Sequence, residues 1–268
     1  MKTRILFFVL ILTSSASFAQ QDAQFTQYMY NTININPAYA GSREVMSIFG
    51  LHRTQWVGLD GAPVTNALSL NTPINNSKIG IGLSAINDRI GPTVENTLSV
   101  DVSYTVQTSE TYKLSFGIKG TGNFFNLDAS QLNPLVDNDP SLVNYNKFTP
   151  NIGAGVYFHS DKSYIGVSVP NFIQSNRYNS DNVAILKERI NYYFIAGYVF
   201  DLNPNIKFKP ALLTKLVTGS PLQVDVSGNF IFYDKFVIGA AYRWDAAVST
   251  LAGFQITDGL YMGYGYDM

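Results

Sequence analysis

Residues 98–124 read LSVDVSYTVQTSETYKLSFGIKGTGNF, and their alternation decides the fold. Leu98, Val100, Val102, Tyr104 and Val106 share one face of an extended chain, while Ser99, Asp101, Ser103 and Thr105 share the other. After a short polar connection, Leu114, Phe116, Ile118 and Phe124 resume the apolar face. Lys113, Ser115, Lys119, Thr121 and Asn123 resume the polar one. Successive side chains of a strand point to opposite faces, so strict period-2 alternation predicts a hairpin with one apolar and one polar surface. Hairpin register then sets Asp101 opposite Lys119 on the polar face.

The same reading extends outward in both directions. Alternating segments occur at 45–53, 63–72, 78–87, 151–159, 163–170, 190–201, 206–216, 221–233, 235–244, 247–256 and 259–266. With the two already described they make about thirteen strands, many near the 9–11 residues that a tilted membrane strand needs. Pairing Phe232 with Phe236 across Asp234 sets Val226 near Tyr242, Val224 near Trp244, and Asp225 opposite Arg243. Opposite charges on one face and aliphatics on the other suit a polar lumen inside an apolar wall, with Asp101, Lys119, Asp225 and Arg243 as lumen pairs. Phe232, Phe236 and Trp244 fall near strand ends, where interfacial aromatics belong.

Links 54–62, 88–93, 125–149 and 171–189 separate consecutive strand pairs, and the intervening links are mostly shorter. The two longest, 125–149 and 171–189, therefore fall on one end of an up-and-down meander, with a helical turn or two read at 180–188. Outer-membrane barrels carry this asymmetry, with short periplasmic turns and long extracellular loops. The expected fold is an all-β, antiparallel up-and-down transmembrane barrel. A soluble sandwich whose apolar face is its core is the alternative reading of the same alternation.

Composition sets limits on function. Lys2 and Arg4, the apolar run Ile5 to Leu12, then Ser17 and Ala19 before Gln20 make a secretory signal peptide over residues 1–19. The run is too short for a spanning helix, which needs about 20 apolar residues. The chain has no Cys, which excludes a lipid-anchored cysteine, a disulfide framework and thiolate metal sites. Net charge is −1, so nothing favours a nucleic-acid partner. Charged residues make up 14%, against about 25% in an average soluble domain, and aromatics another 14%.

Catalytic signatures are lacking. His52 and His159 lie on separate strands without metal-ligand spacing. Asp137-Asn138-Asp139-Pro140 has oxygen ligands but lacks the Gly and distal Glu of a calcium loop. Gly120-Thr121-Gly122 and Gly263-Tyr264-Gly265 precede no helix and are not phosphate loops. No Ser sits in a G-x-S-x-G elbow. The expectation is a protein with no catalysis, metal or cofactor of its own.

One block is specific. Residues 22–73, DAQFTQYMYNTININPAYAGSREVMSIFGLHRTQWVGLDGAPVTNALSLNTP, resemble the N-terminal block of the PorP/SprF family of type IX secretion outer-membrane proteins of Bacteroidetes. The matching residues are Phe25, Gln27 and Tyr28, then Asn36-Pro37-Ala38-Tyr39-Ala40-Gly41, Arg53, Gln55-Trp56, Gly58 and Gly61-Ala62-Pro63. Later stretches fit too, among them IGVSVPNF at 165–172 and NYYFIAGYVF at 191–200. The resemblance implies an outer-membrane component or accessory of the secretion and gliding machinery. Its implied partners are other type IX components, an OmpA-like peptidoglycan-binding periplasmic protein, and a secreted adhesin or other cargo at the surface. Asn36, Pro37, Gly41, Arg53, Trp56 and Pro63 become candidate docking residues, with turn and packing roles as the alternative. Residues 20–43 are expected as an extended periplasmic or plug segment, and 44–268 as the barrel. Family members continue past Tyr266-Asp267-Met268 with a further loop and strand, so about fourteen strands are expected of a whole barrel and the closing one is missing here. A solute channel and a soluble secreted sandwich remain the other readings.

Overall fold

The structure is a computed structural model and describes residues 30–75, 77–131, 144–175 and 189–268. Fourteen strands form one antiparallel sheet: β1 Ser47–Thr54, β2 Val64–Pro73, β3 Ile79–Ile90, β4 Thr93–Gln107, β5 Lys113–Leu127, β6 Tyr145–His159 and β7 Ser163–Val169. They continue as β8 Asn191–Tyr198, β9 Phe200–Asn203, β10 Ile206–Val217, β11 Gln223–Phe232, β12 Phe236–Arg243, β13 Ala247–Thr257 and β14 Leu260–Asp267. Each pairs with its sequence neighbour, except that β8 and β9 both pair with β10. The segment read as one strand at 190–201 is thus broken at Val199. By register, Pro210 of β10 lies opposite Tyr198, the last residue before this break, and proline has no N–H to give a ladder.

The register is the one the side chains demand. Asp101 pairs with Lys119, Asp225 with Arg243, Val226 with Tyr242 and Phe232 with Phe236. Polarity is inverted relative to a soluble domain. Val100 and Ile118 are 53% and 65% exposed, while Asp101 and Lys119 are 0% and 5% exposed. Ser69, Ser84, Ser99, Ser103, Ser115, Asn151, Ser227 and Ser249 are buried along with them. The polar face is therefore the inside of the curved sheet and the aliphatic face the outside, an arrangement that water would penalise and hydrocarbon would not.

Two aromatic belts bound the aliphatic exterior. One runs through Tyr198, Phe200, Phe208, Phe230, Phe232 and Phe236, each ring within 6.5 Å of the next. The other holds Phe124 and Phe148, 4.9 Å apart, with Tyr192, Tyr242 and Trp244 exposed at the same strand ends. Amphipathic rings at both limits of an apolar band are the signature of membrane interfaces. The first belt lies beside the short connections 74–78, 108–112, 160–162, 204–205, 233–235 and 258–259, here called the short-turn rim. The second lies beside 55–63, 91–92, 128–144, 170–190, 218–222 and 244–246, the long-link rim.

Strands run further toward the long-link rim than the alternation indicated. The expected link 88–93 shrinks to Gly91 and Pro92, and the expected loop 125–149 is entered by β5 up to Leu127 and left by β6 from Tyr145. Alternation fails there because both faces of β3 and β4 turn polar (Asn87, Asp88, Glu95, Asn96). On β5 and β6 the pattern inverts, with Asn126 and Asn146 outward and Phe125, Leu127 and Tyr145 inward, yet the ladder continues. Cross-strand amides still pair, as Asn87 does to Asn96 at 2.8 Å and Asn126 to Asn146 at 2.6 Å. The helical turn read at 180–188 lies outside the described residues.

The sheet is not closed: no ladder joins β1 to β14. An even number of antiparallel steps separates the two, so they run in the same direction. At their matching ends Arg53 and Asp267 form an ion pair at 2.8 Å, which brings the two edges within side-chain reach.

Candidate functional site

Residues 30–44 lie against the inner face of the sheet, in its short-turn half. Local chemistry shapes the segment. Thr32–Asn34 and Pro37–Tyr39 form two 3-10 turns. Pro37 opens the second turn, and the Asn36 side chain caps it by accepting from Ala38 N at 3.0 Å. Gly41 takes a φ of 70°, and a Cβ there would press on the Gly80 backbone at 2.9 Å.

The wall reaches in to satisfy the Asn31 side chain and three of the segment's backbone carbonyls. Ser69 Oγ donates to Asn31 Oδ1 at 2.7 Å, Lys119 Nζ to the Ile33 carbonyl at 3.2 Å, Ser168 Oγ to the Ile35 carbonyl at 2.6 Å, and Ser103 Oγ to the Ala40 carbonyl at 2.6 Å. Asn36 Nδ2 returns a hydrogen bond to the Val156 carbonyl at 3.1 Å. Buried carbonyls left unpaired would each cost about 1–3 kcal/mol, so these donors decide whether the segment can remain inside.

Glycines make the room. An added Cβ at Gly80 would collide with the Ala40 carbonyl, at Gly117 with the Pro37–Ala38 backbone, and at Gly155 with the Asn36 carboxamide. Apolar contact completes the fit: Ala38 packs with Tyr157, Tyr193, Ile195, Leu213 and Leu251, and Tyr30, Ile35, Tyr39 and Tyr164 border this cluster. Tyr30 stacks on Tyr261 at 5.5 Å and lies 5.8 Å beneath the Lys209 ammonium. Burial pushes the Tyr39 phenol up from its ordinary value, and nearby Arg43 offsets part of that rise. The segment thus touches β2 through β8, β10, β13 and β14, which is possible only inside the curl.

The structure separates the sequence-derived candidates into groups. Asn36 and Pro37 are buried in the segment itself and touch the wall, with Gly41 at its exit. Arg53 is in the ion pair with Asp267, and Pro63 is buried where Gln55 N donates to its carbonyl at 3.0 Å. Trp56, at a φ of 48°, stands exposed on the 55–63 turn. Asp101 and Lys119 form an ion pair at 3.1 Å directly beneath the segment, and Asp225 and Arg243 one at 3.0 Å on another part of the inner face. Sequence reasoning missed Ser69, Ser103, Ser168 and the glycines at 80, 117 and 155. Their signal was small residues alternating on the inward positions of neighbouring strands.

Among the described residues no group of three His, Asp or Glu could hold a metal ion, and no helix is long and apolar enough to cross a membrane. His52 faces outward and bonds Asn66 at 2.7 Å, while His159 stacks on Tyr157 at 5.0 Å on the inner face. What the arrangement does chemically is bind a peptide backbone.

The β domain of the Bordetella autotransporter BrkA is similar over 83% of this chain and 96% of that one, at 11% identity and a TM-score of 0.37. A triple mutant of the Rhodopseudomonas blastica porin is similar over 83% and 94%, at 13% identity and a TM-score of 0.32. The fold described above rests on the chain's own ladders and not on these likenesses. No curated protein matches the chain. Residues 17–268 match a family described as type IX secretion system membrane protein PorP/SprF.

Proposed function

Given that this chain belongs to the PorP/SprF family of type IX secretion system membrane proteins, we propose that it works as a non-catalytic outer-membrane scaffold with an occupied interior. Cleavage after Ala19 releases the mature chain. The short-turn rim faces the periplasm, where it docks other secretion components, among them an OmpA-like peptidoglycan-binding protein. The long-link rim, through 125–149 and 171–189, holds a secreted adhesin or other cargo outside the cell. Loops on a rigid frame suit that task, because recognition varies while the frame stays fixed.

The observation that carries this reading over a solute channel is the buried segment. A conducting pore needs a continuous water path, and residues 31–40 lie inside the short-turn half with backbone that the wall hydrogen-bonds, which supports an obstructed interior. Removing it would leave Ser103, Lys119 and Ser168 on the wall without these acceptors and would uncover the Asp101–Lys119 pair.

Two measurements test the proposal. Deletion of the gene, complemented by the full-length sequence, should abolish surface retention of the cognate cargo; unchanged retention and secretion would remove the scaffold reading. In planar bilayers the wild-type protein should show no large stable conductance. Ion-selective steps that respond to charge reversal at Asp101 or Lys119 would instead establish a channel.

A further inference from the structure

At the long-link end of the aliphatic band, four outward side chains form one row across β1 to β4. His52 is registered with Asn66, Asn66 with Asn87, and Asn87 with Asn96. They are linked in sequence: His52 Nδ1 to Asn66 Oδ1 at 2.7 Å, Asn66 Nδ2 to Asn87 Oδ1 at 3.4 Å, and Asn87 Nδ2 to Asn96 Oδ1 at 2.8 Å. The same row continues onto β5 and β6 as Phe124 and Phe148, members of the aromatic belt. The row beneath is Gly50, Leu68, Ala85 and Leu98, part of the lipid-facing band. In this sector, then, carboxamides and an imidazole replace aromatic rings at the interface level.

We propose that this row is a binding strip for the sugar head of an outer-leaflet glycolipid. Location supplies the first argument. The row continues the hydrocarbon-facing surface upward by one step, so its neighbours are the head groups of lipids whose acyl chains lie on Leu68 and Leu98. Chemistry supplies the second. A carboxamide has four hydrogen-bonding sites, and the ladder uses at most two on each Asn, which leaves donors and acceptors for hydroxyls. The three carboxamides carry no charge, and they hydrogen-bond sugar hydroxyls whether or not the same head also bears phosphate. Pre-alignment by the ladder lowers the ordering cost of binding. The exposed Trp56, on the turn that follows β1, adds an aromatic face of the kind that sugars stack against.

The inference rests on the outer-membrane reading, with the long-link rim outermost. The test uses the full chain reconstituted in phosphatidylethanolamine–phosphatidylglycerol vesicles, with and without rough lipopolysaccharide, followed by extraction and native mass spectrometry. Wild type should retain lipopolysaccharide, and Asn87→Leu with Asn96→Leu should weaken retention about tenfold. Asn126→Leu with Asn146→Leu, beyond the strip on β5 and β6, should leave it unchanged. Asn96→Gln, which keeps the amide and avoids a folding defect, should retain most of the binding. Equal retention by wild type and the Asn87/Asn96 variant, or no preference for lipopolysaccharide over phospholipid, would overturn the strip while leaving the membrane reading intact. Failure to insert into either vesicle would overturn the membrane reading itself.

Discussion

Substitution of Lys119 by Met removes a charge that works on two partners at once. Its ammonium lies 3.1 Å from Asp101 and 3.2 Å from the Ile33 carbonyl, with side-chain exposures of 3% for Lys119 and 0% for Asp101. Breaking one member of a buried pair leaves the other uncompensated and typically costs about 3–5 kcal/mol. Replacing both, as Asp101→Leu with Lys119→Met, removes the unpaired carboxylate, and well-packed apolar replacements of a buried pair are often neutral. What the double variant still lacks is the donor to Ile33, about 1–3 kcal/mol for a buried acceptor left unpaired. The single variant should therefore be less stable than the double by about 2 kcal/mol. Urea unfolding of the detergent-folded protein reads this difference. Because the chain has no Cys, Ile33→Cys provides a unique thiol that reports whether the segment stays inside. Its reaction with a water-soluble maleimide should be slow in the otherwise wild-type protein and faster in both variants. A single variant as stable as wild type, or more stable than the double, would refute the idea that this pair is buried and holds the segment.

Three further outcomes follow from the same geometry. Gly117→Val places a side chain where the Pro37–Ala38 backbone lies, so it should cost about 1–3 kcal/mol or expel the segment, detected as bilayer conductance or faster labelling at position 33. Single cysteines at Val100 or Ile118 should react with a lipid-phase probe while cysteines at Asp101 or Lys119 do not, and the reverse pattern would end the membrane assignment. Hydrogen bonds from Ser130 Oγ, Gln131 Nε2 and Ser130 N hold the Asp128 carboxyl below its ordinary value of 3.8. A depressed carboxyl contributes order above its unfolded pKa and loses it as pH falls through the folded one, so amide protection at Ser130 should be constant near neutrality and vanish only in acid below that value.

The strand plan was legible because period-2 alternation is a local property. Leu98 to Val106 needed only their own spacing to declare a two-faced strand, and Asp101 and Lys119, or Asp225 and Arg243, needed only a hairpin's register to meet. The family match over residues 17–268 shows that the block from Phe25 to Pro63 was read correctly as belonging to PorP/SprF. Legibility ended where alternation ended. The extensions of β3 and β4 past Asn87 and Asn96 looked like loop because polar surroundings on both sides impose no two-faced pattern, and those of β5 and β6 because their polarity inverts past Phe124 and Phe148. The break at Val199 was hidden because the proline next to it, Pro210 opposite Tyr198, sits on a neighbouring strand.

Sequence alone determined which side chains face hydrocarbon, since that choice is repeated at every second residue and summed over the whole wall. Tertiary structure alone decided what fills the inside. Asn36 and Pro37 announce a turn, but their destination depends on carbonyls meeting Ser103, Lys119 and Ser168, which lie at sequence separations of 63, 86 and 133 residues from their partners. No local pattern encodes such meetings. They exist because curvature of the sheet brings glycine-cleared positions on separate strands around one short stretch of chain.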